Sequence, residues 1–83
     1  QNYPNPVSGQ TTISYSLSKA APVVLTISNL SGSVVKTVVN EFQESGNYDY
    51  LVSISDSQLL SGVYLVKLVA GNSVQTRKMI VVQ

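Results

Sequence analysis

Ser61-Gly62-Val63-Tyr64-Leu65-Val66-Lys67-Leu68 decides the fold. A turn glycine leads into strict alternation, with Tyr64, Val66 and Leu68 on one face and Leu65 and Lys67 on the other. A period of two belongs to a strand with one dry face. The pattern runs on through Ala70-Gly71-Asn72 into Ser73 to Val82, so the last part of the chain reads as a hairpin.

Working toward the N-terminus, the same signature recurs. Thr11 to Leu17 places Ile13, Tyr15 and Leu17 together, with Thr12, Ser14 and Ser16 opposite. Pro22 to Leu30 turns Val23, Leu25 and Ile27 inward, and Asn47 to Ile54 groups Tyr48, Tyr50, Val52 and Ile54. Val34 to Val39 breaks the alternation, since Val35 and Val38 lie three apart, and this predicts a bulge or an edge strand. Asp56-Ser57-Gln58-Leu59-Leu60 has room for one helical turn, with Asp56 as its cap and Leu59 as a plug into the core. The outward positions are mostly Ser and Thr, as antiparallel strands with one wet face require. The expected fold is all-β, an immunoglobulin-like antiparallel β-sandwich of six to seven strands. Tyr15, Leu25, Ile27, Tyr64, Val66 and Leu68 are expected among its buried residues.

The chain forms a single domain over residues 1–83, with residues 1–10 as a leader joining it to a parent protein. Asn2-Tyr3-Pro4-Asn5-Pro6 is extended by necessity, because two prolines fix φ and push the preceding residues away from helix. Gln1 opens the chain without an initiating Met or a signal peptide, which reads as a piece of a longer protein. At 83 residues the radius of gyration should be about 12 Å. An apolar fraction of 43% with 11% charge is unlike a disordered tail. The net charge of +1 offers no basic field for nucleic acid or an anionic membrane. No apolar run approaches the ~20 residues of a membrane-spanning helix.

Chemistry is sparse. Histidine and cysteine are absent, which removes histidine relays, thiol nucleophiles, disulfides and the commonest transition-metal ligands. Glu41 and Glu44 flank Phe42 in what reads as a connection, two solvated acids anchored by one aromatic ring. Asp49 should point outward between Tyr48 and Tyr50. No spacing of acids matches a calcium loop. The tyrosines could form a sugar platform, but Tyr15, Tyr48, Tyr50 and Tyr64 all fall on inward faces, where packing with hydroxyls at the rim is the stronger reading. Asn29-Leu30-Ser31 matches a glycosylation sequon at a turn and carries little weight. No catalytic residue, cofactor site or metal site emerges, and the chain reads as a module that is recognised.

Recognition has one clear candidate surface. Gly62 should supply a positive φ or a close approach at the strand entry, and Tyr64 should send its hydroxyl to a backbone partner. Arg77-Lys78 precede Met79-Ile80-Val81-Val82-Gln83. Basic residues there can guard an edge strand against aggregation, or they can flank a strand that a partner reads by strand addition. The candidate recognition residues are Gly62, Val63, Tyr64, Gly71, Arg77, Lys78, Met79 and Val81.

Several segments, in order along the chain, resemble one family. They are Asn2 to Pro6, Thr12 to Leu17, Val23 to Ile27, Asn29 to Gly32, Val39 to Tyr48, Leu60 to Tyr64, Ala70-Gly71 and Thr76 to Met79. Together they resemble the type A C-terminal sorting domain of the Bacteroidota type IX secretion system. The resemblance implies a non-enzymatic signal that directs an N-terminal cargo domain of the same chain through the periplasm and across the outer membrane. It also implies handling by the translocon and by outer-membrane shuttle and sortase proteins, with possible cleavage and surface attachment. The destination would be the medium or the cell surface. A second resemblance, to the immunoglobulin-like domain of the flagellar hook-capping protein, rests on the proline opening and the Gly-Val-Tyr strand. It implies the alternative of a structural or adhesive module on a secreted hydrolase or a hook-cap-like protein.

Overall fold

The computed structural model describes residues 9–54 and 59–82. The proline leader, the turn capped by Asp56 and the terminal Gln83 lie outside the described residues. The strands are β1 (Gln10–Leu17), β2 (Ala21–Asn29), β3 (Val34–Gln43), β4 (Gly46–Ser53), β5 (Gly62–Ala70) and β6 (Ser73–Val81). All pairings are antiparallel, and no helix occurs among the described residues. The strands form two sheets, β1-β4 and β3-β2-β5-β6, in a sandwich-like arrangement. The radius of gyration is 12.5 Å.

Alternation places the core between the sheets. Ile13 and Leu17 of β1, Val52 and Ile54 at the end of β4, and Val23, Leu25 and Ile27 of β2 are buried. Val39, Tyr64, Val66, Met79 and Val81 meet them, and Leu59 plugs the β4–β5 crossover as its sequence implies. Each large aliphatic side chain so buried contributes about 1.5–3 kcal/mol relative to its exposed state. With no disulfide available, this core holds the domain.

β3 is irregular where its sequence is. Its register against β2 shifts between Leu25 and Thr26 and again between Ile27 and Ser28, leaving Val38 and Val35 outside the paired register. These are the two valines whose spacing breaks the period.

Three expectations need correction. Leu68 and Tyr15 are half-buried, because the four-stranded sheet extends past its two-stranded cover on that side. Phe42 lies within β3 opposite Pro22 and is 63% exposed, so it anchors nothing. Glu41 also belongs to β3, and it accepts a hydrogen bond rather than facing only water. The side-chain amide of Asn29 is engaged in its own turn: Oδ1 accepts from the Ser31 and Ser33 amides and from Ser31 Oγ.

Candidate recognition surface

β5 and β6 pair without a shift from Gly62↔Val81 to Ala70↔Ser73, closing on the two-residue Gly71–Asn72 turn. Gly71 sits at φ 59°, where a side chain is strained, and a Cβ there would lie 3.7 Å from that of Ala21. Its amide donates to the Pro22 carbonyl at 3.0 Å, so the hairpin tip is tied to the start of β2. At the other end Gly62 adopts φ 157°, a positive φ that L side chains rarely adopt, and a Cβ would make only ordinary contact with Tyr64. The expected positive φ, not a close approach, is what glycine supplies there. Tyr64 is buried, and its hydroxyl donates to the Leu60 carbonyl at 2.8 Å. That bond reaches a few residues upstream, as tyrosines at the corners of immunoglobulin-type sandwiches do.

The eight candidate residues therefore separate by depth. Tyr64, Met79 and Val81 are core side chains, and Val63 is half-buried. Gly62, Gly71, Arg77 and Lys78 are at the surface. Arg77 pairs with Val66 on the inner face of the sheet, whereas Lys78 pairs with Leu65 on the outer face. Every residue from Ser73 to Lys78 is exposed. The hairpin thus offers a partner a stretch of edge backbone and two cations of fixed placement.

A second cluster lies on the inner face of the β1-β4 sheet. Tyr15 pairs directly with Tyr48, its ring centroid 5.4 Å away, and Tyr50 also stacks on it at 6.0 Å. Tyr15 donates to Gln43 Oε1 at 2.5 Å. Gln43 Nε2 in turn donates to the Tyr50 hydroxyl at 2.7 Å and to Glu41 Oε2 at 3.0 Å. Tyr48 donates to the Glu44 carbonyl at 2.6 Å. Burial, then the neighbouring Tyr50 hydroxyl, raises the pKa of Tyr15 well above the ordinary tyrosine value, against a smaller opposing effect of Gln43. The rings face one another and their hydroxyls are used internally, so the cluster joins the sheets rather than offering a sugar platform. Gln43, buried at the end of β3, escapes sequence reasoning because its tyrosine partners are distant in the chain.

No described residues form a group of three or more acids able to hold a metal ion. Among the described residues no helix is long and apolar enough to cross a membrane. Over residues 1–82 the sequence matches the family described as the secretion system C-terminal sorting domain. No curated protein and no solved structure matches it.

Proposed function

The chain belongs to the family of type IX secretion C-terminal sorting domains, and from that premise we propose that its last hairpin, Gly62 to Gln83, is the address the machinery reads. Membership makes the domain a cargo tail that engages the type IX machinery and implies export to the medium or the cell surface. The family is one of sorting signals, not of enzymes. The finer reading is that a cargo domain precedes the tail in the same chain. Outer-membrane shuttle and sortase proteins receive it, and cleavage and attachment to surface lipopolysaccharide follow.

The run of exposed residues from Ser73 to Lys78 supports this reading most directly. Edge backbone with two cations is a surface a receptor can grip by strand addition or docking. The core residues Tyr64, Met79 and Val81 then act by holding that surface in place. The test fuses residues 1–83 behind a periplasm-targeted fluorescent protein in a host with an intact type IX system. Fluorescence at the surface or in the medium is the expected result. Folded, intact reporter retained in the periplasm would refute the proposal and favour a structural or adhesive module.

A further inference from the structure

Among the described residues β1 is hydrogen-bonded on one side only, to β4. Its free side can be read atom by atom. Ile54 N donates to Gly9 O in the register that pairs Thr11 with Val52 and Ile13 with Tyr50. Antiparallel pairs alternate between bonded and non-bonded, so the odd-numbered residues of β1 spend their backbone groups on β4. The N–H and C=O groups of Thr12, Ser14 and Ser16 consequently point to the open edge.

Proteins blunt their exposed edges with charge, bulges or proline. β3 carries Lys36, Glu41 and two register shifts, β4 carries Asp49, and β6 carries Arg77 and Lys78. β1, QTTISYSL, pairs without a shift and is the one uncharged edge among the described strands. It is the strand left available for pairing.

Beside that edge runs a groove. Ile13 and Tyr15 form one wall, and Leu68, Gln75 and Arg77 are on the other side. The groove continues, through the shared Leu68 and Gln75, into a cleft of about 500 Å³ between the β1–β2 turn and the hairpin tip. Its floor is the part of β5 and β6 that the two-stranded sheet leaves uncovered. A second copy of the domain does not fit there, since its own β6 would need the same space beneath its own β1. A single strand with no sheet behind it avoids that clash. Lys19 and Arg77 line the groove, and among the described residues no carboxylate does.

We propose that the open edge of β1 accepts one extended, acidic segment of a partner protein as an added strand over β5 and β6. The segment would bond to the backbone of Thr12, Ser14 and Ser16 and set its carboxylates toward Arg77 and Lys19. The bonding edge is that of β1 and not that of the last hairpin, although Arg77 is common to both surfaces, so the test reads the β1 amides and not export.

The test is amide hydrogen exchange followed by NMR on the 83-residue chain. The probes are a nine-residue peptide of alternating valine and threonine with glutamate near each end, and its copy with lysine at both glutamate positions. The glutamate peptide in excess should slow exchange at Thr12, Ser14 and Ser16 at least about tenfold, and the lysine peptide should not. Ser14→Pro deletes an N–H that faces outward, which an edge strand tolerates, and should abolish the protection. If that variant does not fold, the two-peptide comparison on the unaltered chain decides alone. Unchanged exchange, equal protection by both peptides, or protection confined to β6 would overturn the proposal. So would slow exchange of these amides in the free chain, which would mean that its own leader or a second copy already fills the edge.

Discussion

The interior has a closed end and an open end, and β6 runs through both. At the closed end Met79 and Val81 are each 1% exposed, in one buried cluster with Val52, Ile54 and Leu59. At the open end Gln75 and Arg77 occupy the same face of the same strand yet stand in solvent. Alternation is unbroken across the boundary. What changes is the cover, because two strands cannot roof four. The difference separates residues that hold the hairpin from residues that a partner can touch, and it gives each half of β6 its own experimental signature.

The largest effect should come from the closed end. Met79→Ala should cost about 2–5 kcal/mol, a large share of what a domain this small has. Denaturant titration should show the midpoint collapse, and a shift worth less than about 1 kcal/mol would mean that this end is not closed. The same loss complicates any deletion of Lys78 to Gln83, which removes Met79 and Val81 along with the cation.

Tyr15 probes the rim between the two ends. Tyr15→Phe removes the bond to Gln43 and should cost about 1 kcal/mol at neutral pH. Its raised pKa also fixes a sign. Above about pH 10 the unfolded chain releases this proton while the folded one holds it, so stability falls as pH rises past the ordinary tyrosine value. The phenylalanine variant should lose that part of the alkaline slope in melts recorded from pH 8 to about pH 11. An identical slope would place the titration elsewhere.

Thr11 sharpens the picture of the closed end from the opposite direction. It is 5% exposed, and its hydroxyl has no hydrogen-bond partner among the described residues. Thr11→Val should be neutral or should stabilise by up to about 1 kcal/mol, which is a rise of roughly 4–8 °C in melting temperature. A fall in melting temperature would show that the hydroxyl is satisfied in solution.

The strands were legible because a period of two states which face is dry, and the β3 bulges were legible because Val35 and Val38 violate that period. Periodicity does not say which strand lies beside which. The pairing of β1 with β4, and hence the unequal sheets, was therefore invisible. Leu68 alternates just as Val66 does and was expected to be buried with it, but it lies past the edge of the cover. Gln43 was missed for the complementary reason: a polar residue in a strand reads as wet until two tyrosines from other strands converge on it. At the candidate surface, Arg77 and Lys78 were recognisable from charge. Met79 and Val81 share the inner face of their strand, and no feature of the sequence revealed that this part of the face is covered.

Export and melting measured together on one pair of variants separate address from scaffold. Arg77→Gln with Lys78→Gln, both at exposed positions, should leave stability within about 0.5 kcal/mol of the parent. The fluorescent fusion carrying this pair should nevertheless accumulate in the periplasm, folded and intact. Normal export of that fusion, with failure only in Met79→Ala and only in proportion to its unfolding, would contradict an address on the exposed half of the last strand.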